Sequence, residues 1–248
     1  MSLNLQKDIS DDERHAAWTR VIERIYTEQA NHAWSHYMFR LLQAVFDKNE
    51  RLSEEGGFIF DWMAENYVDS ALMLLRRELD QQAGVENLWN LLQDIMDHHG
   101  VLTRARYCAA WGKGGRFDVE MANRAFNLFS PKRVAENPGL DFIDPVLVRA
   151  DLEQVVADAG RLRGYAERTR AHRTPERGVD TSDITFHALH KAIADVRRVV
   201  AKFYALLTLS SIAEWEAVPQ FDTIGPFVRP WVLDRDAVEV AAKEGAEQ

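Results

Sequence analysis

The sequence predicts an all-α protein, and three observations carry that prediction. Apolar residues recur at steps of three and four over long stretches, as on one face of an α-helix. No stretch alternates apolar and polar residues as a half-buried strand would. Glycine and proline gather between the periodic stretches and not within a ladder of short segments. The chain of 248 residues is 46% hydrophobic and 28% charged, proportions of a folded globular protein.

The first periodic stretch spans 15–48, where Trp18, Ile22 and Ile25, then Trp34, Met38, Leu41 and Val45, keep helical spacing. The acidic run Ser10-Asp11-Asp12 before it suits a helix N-terminus, and Asn31 predicts a break or bend. A turn at Gly56-Gly57 leads to a second helix from about Phe58 to Leu79, carrying Val68, Leu72, Leu75 and Leu79 on one face. After Gly84 the stretch ENLWNLLQDIMDHHG reads as a short helix that stops at Gly100.

Residues 101–140 are less regular: a short helix through Tyr107, a turn at WGKGGRFD, a helix at VEMANRAFNLF, and the loop SPKRVAENPG. They read as an insertion or rim element. Two long helices follow. One runs over about 144–172, with Val148, Leu152, Val155, Ala159, Leu162 and Ala166 in register. The other covers about 183–209, with Leu189, Ile193, Val196, Val200, Phe203 and Leu207. The loop TPERGVDTS between them is short enough to make them antiparallel neighbours. Gly160 and Gly164, one turn apart, predict close approach of a partner backbone, since each otherwise weakens the helix by roughly 1 kcal/mol. The organisation expected is a polar segment at 1–14, a single helical domain over 15–231 in which FDTIGPFVRPW packs along the bundle, and an acidic tail at 232–248.

Composition excludes several classes of function. One cysteine, Cys108, forbids an intrachain disulfide and suits a reducing cytoplasm. No apolar run approaches the ~18 residues needed to span a bilayer, and MSLNLQKDISDDER lacks the apolar core of a signal peptide. These features predict a cytoplasmic protein without a membrane partner. The formal charge of -9 argues against coating nucleic acid indiscriminately.

Against that background the stretch 161–177 stands apart. It holds Arg161, Arg163, Arg168, Arg170, Arg173 and Arg177 against Glu167 and Glu176, six minus two, a local charge of +4. On a continuous helix Arg161, Tyr165, Arg168 and His172 share one face. Arginine offers a planar donor fork for phosphate oxygens, and histidine can move a proton to or from a ribose hydroxyl near neutral pH. The plain alternative is that the cations offset the negative end of a helix dipole.

Other histidines invite weaker readings. His32 and His36 have the spacing of two metal ligands on one helical face, but no third ligand follows at a recognisable interval. His98 and His99 sit where they can bond the last carbonyls of a helix. His187 and His190 open the last long helix, where they either border the core stripe or face a substrate near His172. GKGG lacks the remaining spacing and the preceding strand of a phosphate loop, and Cys108 has no CxxC partner. No cofactor or metal is implied.

Three segments carry a family resemblance: NYVDSALMLLRRELDQQAGVENLWNLLQDI at 66–95, RLRGYAERTRAHR at 161–173, and ITFHALHKAIADVRRVVAKFYALL followed by FVRPW. In pattern they resemble the HEPN domains of prokaryotic toxins and defence proteins, above all the abortive-infection branch, whose motif ends in Ala-His-Arg. The resemblance implies a HEPN-like helical bundle, a homodimer whose two His172 sites face one cleft, and metal-independent RNA cleavage within a toxin-antitoxin or phage-defence system, with a cognate antitoxin as partner. It further implies His172 as the acid-base group, Arg168 as the phosphate-binding group, and Arg161, Tyr165, Arg170 and Arg173 as substrate-binding residues. In the family four to six residues stand between the arginine and the histidine. Here that position falls on Tyr165, Ala166 or Glu167, and none is arginine. An inactive relative acting as a helical interaction module is therefore the alternative.

Overall fold

The computed structural model describes residues 9–113, 119–130, 141–165 and 185–212, with positions 215, 219, 222, 223 and 225. The described chain is all-helical. Its elements are α1 (Asp11–Lys48), α2 (Glu50–Glu55), α3 (Gly57–Glu78), α4 (Leu88–Asp97), a 3-10 turn His99–Val101, α5 (Arg104–Lys113), α6 (Val119–Phe126), α7 (Pro145–Tyr165) and α8 (Phe186–Thr208). Among the described residues the only β-type pairing is an isolated antiparallel bridge between Thr103 and Phe142.

The start of α1 is set locally. Ser10 caps it, its hydroxyl accepting from the Glu13 amide while the Glu13 carboxylate accepts from the Ser10 amide at 2.9 Å. This reciprocal box satisfies two amides that the first turn leaves without helical partners. Asp11, Asp12 and Glu13 also place negative charge at the positive end of the helix dipole. The helix then runs unbroken to Lys48, so Asn31 does not break it. Asn31 is exposed, and its weak helix preference of a few tenths of a kcal/mol is outweighed by the burial of His32 and Ala33 beside it. Gly56 and Gly57 do not form a free turn either: Gly56 closes the short α2, capped by Asn49, and α3 starts at Gly57. Gly84 has φ 82°, in the left-handed region, and permits the turn between α3 and α4.

α8 is the central element and packs against α1, α3 and α7, while α4 closes the bundle against α1 and α7. The core follows the predicted stripes except in the second half of α1, where Ala33, Phe39 and Phe46 are buried and the predicted Trp34, Met38, Leu41 and Val45 only partly so. Trp18, Ile22 and Ile25 of α1, Leu72 and Leu75 of α3, Val155 and Ala159 of α7, and Val196, Val200 and Phe203 of α8 are all essentially inaccessible. Residues of 101–130 share this core, since Tyr107, Ala122, Phe126 and Phe129 belong to the same buried cluster. Gly160 is not a site of close approach, because a Cβ added there meets nothing within 4 Å. The reason for that glycine is therefore not packing.

Two buried charged groups are held by dense bonding. Arg104, only 3% exposed, pairs with Asp141, donates to the Asn123 and Ser130 carbonyls at 2.7 and 3.2 Å, and lies 4.8 Å from the centre of the Phe126 ring. Asp141 in turn accepts from the Ser130 hydroxyl at 2.6 Å. Arg14, also 3% exposed, donates to both Asp94 oxygens at 3.0 Å, and the Trp18 indole N–H reaches Asp94 at 2.6 Å. His98 and His99 meet the expectation at the end of α4: their Nδ1 atoms lie 3.0 and 2.9 Å from the carbonyls of Asp94 and Met96. Among the described residues no helix is long and apolar enough to cross a membrane.

Candidate functional site

Three helices converge on one group of polar side chains. Spacings of three and four put Gln29, His32 and His36 on one face of α1. Spacings of four and three put Phe186, His190, Ile193 and Arg197 on one face of α8. These faces meet, with Tyr67 of α3 between them. Tyr67 Oη and His190 Nε2 share a hydrogen bond of 2.9 Å, and the His36 and His190 rings lie 4.6 Å apart, centre to centre. Arg197 Nη2 is 3.3 Å from the Gln29 carbonyl and 3.2 Å from His32 Nδ1. Trp215 closes one side, its ring 5.7 Å from the guanidinium carbon. His32, His36, Tyr67, His190, Arg197 and Trp215, with Ile193, Ala194 and Arg198, line a cavity of about 340 Å3, at the small end of ligand sites, about 300–1,000 Å3.

The Arg197 contact fixes a proton. A guanidinium can only donate, so His32 Nδ1 accepts and the His32 proton sits on Nε2. That N–H is buried and has no acceptor, and the same holds for Arg197 Nε–H. His36 Nε2 and both amide atoms of Gln29 are also buried without a hydrogen-bond partner. An unsatisfied buried polar group costs about 1–3 kcal/mol, so five of them in one place are not explained by packing. Among the described residues, no carboxylate lines the cavity or pairs with Arg197.

Electrostatics follow from this arrangement. Burial first, then the Arg197 charge and neighbouring imidazoles, lowers His32 to about 4. His36 also falls to about 4, through burial, His190 and then the arginines. His190 is lowered by burial, then by Arg40 and Arg197. Burial raises Tyr67 to about 12 despite the pull of Arg197 and Arg40. At neutral pH the site is therefore three neutral imidazoles, a neutral phenol and the Arg197 cation, with Arg198, paired to Asp151 and Asp195, at its edge.

A pH dependence of stability follows. Unfolded imidazoles gain a proton near 6.5, while these folded ones resist until about 4. Between those values the unfolded chain binds more protons, so stability is complete above about pH 6.5 and falls as pH drops towards 4. For buried His32 the full effect is on the order of 3 kcal/mol. His36 is half-exposed and contributes less through solvent screening. Buried Glu78 works the other way: desolvation lifts it to about 7, which favours the fold as pH falls, but it is one group against three histidines. Thermal melting should drop from pH 7 to pH 4.5, and the drop should shrink in His32→Gln/His36→Gln. An equal slope in that variant would refute the assignment.

The residues expected from sequence to form a site are placed differently. Arg161 and Tyr165 stand on the last turns of α7, one turn apart, with side chains outside the described residues. Arg168, Arg170, His172 and Arg173 also lie outside them. His32 and His36 do share a helical face, yet among the described residues no group of three or more His, Cys, Asp or Glu side chains is arranged to hold a metal ion. Sequence reasoning missed Tyr67, Arg197 and Trp215. One signal was there: Arg197 falls two helical turns after His190, bordering an apolar stripe that should have excluded an unpaired cation. Compared with known proteins, the chain matches no family model, no curated protein and no solved structure.

Proposed function

We propose that the chain is a HEPN-like RNA-binding protein of a toxin-antitoxin or phage-defence system, acting as a metal-independent endoribonuclease. The observation that supports this most is charge segregation. A stretch with net charge +4, in a chain of -9, begins on the last turns of α7 and continues in sequence beyond it, ahead of α8, two helices that pack against each other. In this reading His172 takes the proton of a ribose 2′-hydroxyl, whose oxygen attacks the adjacent phosphorus. The P–O5′ bond breaks and the leaving 5′-oxygen takes up the proton held by His172, leaving a 2′,3′-cyclic phosphate and a 5′-hydroxyl. Arg168 offsets the charge that develops on the phosphorane oxygens. Arg161, Tyr165, Arg170 and Arg173 bind the flanking RNA, two such sites face each other in a homodimer, and a cognate antitoxin restrains them.

The test is cleavage of mixed cellular RNA in the presence of a chelator, with wild type, His172→Ala and Arg168→Ala compared. Wild type should cut, and each variant should lose at least about a hundredfold in rate, the usual worth of a positioned acid-base group or charge donor. A silent wild type ends the nuclease reading. Light scattering at micromolar concentration tests the dimer separately, since a monomer removes the shared cleft.

A second reading, a non-catalytic interaction module, is favoured by two specifics. No arginine occupies 165–167, and α3 presents Phe58 and Trp62, one turn apart and 74% and 64% exposed. Large exposed side chains at helical spacing are a common mark of a partner surface. RNA binding without cleavage, or a dimer lost in Trp62→Ser, would support this module over the enzyme.

A further inference from the structure

We propose that the outer face of the first half of α3 docks a basic amphipathic helix of a partner protein, with Phe58 and Trp62 as apolar anchors. The proposal deepens the interaction-module reading, resting on the same exposed aromatics, and names what covers them. It does not require the chain to be inactive as a nuclease.

The face is defined by register. Positions 58, 61, 62, 65 and 69 share one side of α3, opposite the buried Tyr67, Ala71, Leu74 and Leu75. Phe60 lies on the inner side, its ring 6.1 Å from that of Phe39 and 5.4 Å from that of Phe46, centre to centre. The start of α3 is therefore anchored without Phe58 and Trp62. These two stand in water one turn apart, a rise of about 6 Å, with exposed Ile59 beside them. Large apolar side chains gathered on one turn and unused by the core mark a contact made with another molecule.

Charge decides which molecule. From Glu50 to Asp69 the chain carries Glu50, Glu54, Glu55, Asp61, Glu65 and Asp69 against Arg51, six minus one, a local charge of -5. No lysine or arginine stands on α3 before Arg76. Asp61 and Glu65, both exposed, flank Trp62 on the same side of the helix. RNA and an anionic lipid surface meet this face as repulsion. A second copy in a two-fold dimer would set the acidic residues of this patch against themselves. An apolar segment without charge would cover the rings but leave carboxylates desolvated and unpaired. Lysines or arginines bordering an apolar stripe satisfy both requirements.

Geometry makes the occupant a helix. Beyond its first turn, α3 has its backbone groups bonded within the helix, so it offers no edge for an added strand and recognition runs through side chains. Phe58 and Trp62 form a ridge of residues four apart, which fits the groove between such ridges on a second helix. The partner then carries apolar residues at i, i+3, i+4 and i+7, with lysine or arginine on either side.

The probe is an idealised Leu/Lys peptide of about four helical turns, titrated with the full chain by fluorescence anisotropy at low and high salt. Two control peptides are used: the same composition scrambled so that no apolar face forms, and a Leu/Glu peptide with the original pattern. The Leu/Lys helix should bind at micromolar concentration, and both controls more weakly by about tenfold or more. Phe58→Ser/Trp62→Ser should weaken binding about tenfold or more, as loss of central aromatic anchors does. Asp61→Asn/Glu65→Gln should weaken it several-fold at low salt and flatten its salt dependence. Met121→Ser/Leu128→Ser, exposed on and just after α6, should bind as wild type. All of these side chains are exposed, so circular dichroism should show wild-type folding in each variant. The proposal is overturned if the Leu/Lys helix does not bind at about 0.1 millimolar, or if either α3 variant binds it as wild type does. It is equally overturned if the scrambled peptide binds as well as the helix, which reduces the effect to charge alone. A wild-type dimer that Trp62→Ser makes monomeric in light scattering would name a second copy as the occupant. That result overturns the proposal and leaves the module reading standing, whereas RNA cleavage by wild type ends the module reading and leaves the docking test to decide.

Discussion

Asp141→Ala is expected to destabilise the protein by about 3–5 kcal/mol, the cost of leaving a buried cation without its carboxylate. Arg104 would keep its bonds to the Asn123 and Ser130 carbonyls but lose its only anionic partner among the described residues. Ser130 would lose the acceptor of its hydroxyl. The damage is not confined to one side chain. The Asp141 carbonyl accepts from the Arg104 amide at 2.7 Å and the Ile143 amide donates to Leu102 at 3.0 Å, so this point joins the start of α5 to the approach to α7. Urea denaturation should report the loss as a lower midpoint with an unchanged slope. The paired change Arg104→Met/Asp141→Leu should recover much of it, because burying two apolar groups removes the uncompensated charge. A loss below about 1 kcal/mol in the single variant would show that Arg104 finds water or another partner.

Asp94→Ala should cost about 2–4 kcal/mol. One carboxylate serves Arg14 through both oxygens and also accepts from the Trp18 indole. Arg14 and Trp18 are 3% and 0% exposed, so neither can turn to solvent without opening the α1–α4 contact. Asp94→Asn should fall between alanine and wild type, since the amide still accepts one bond but carries no charge. If the two substitutions are equally harmful, charge is the main contribution of Asp94. If Asp94→Asn matches wild type, the indole bond alone matters.

Much of the fold was legible because helical packing writes itself into spacing. The stripes on α3, α7, α8 and the first half of α1 became buried faces, whereas Trp34, Met38, Leu41 and Val45 are only partly buried, and the helix starts at Asp11, within the acidic run and not after it, with Ser10 as its cap. Misreadings came where a local preference was overruled by contacts distant in sequence. Asn31 looked like a break, yet the helix passes through it because the residues beside it are buried. Gly160 looked like a close contact and faces open space. The polar site was less legible for a related reason. His32, Tyr67 and Arg197 are 35 and 130 residues apart in turn, and nothing in a linear pattern says that three helix faces will meet there. Spacing identified His32 with His36, and His187 with His190, as pairs. It could not show that α1 and α8 would bring one member of the second pair against the first. The basic segment was the reverse case, conspicuous in sequence through charge alone.

α1 and α8 also carry a consequence for how the protein comes into being. They pack face to face although more than 130 residues separate Lys48 from Phe186. A ribosome-bound chain that has not yet reached residue 186 therefore holds Trp18, Ile22 and Ile25 without the helix that covers them. During that interval the emerging polypeptide is a client for chaperones and a risk for aggregation. The closing step waits on a long-range encounter and not on local helix growth, so it should set the folding rate. The polar cavity, built from both helices, is consequently a late-arriving property: no nascent fragment holds it, and whatever it binds can engage only the finished fold.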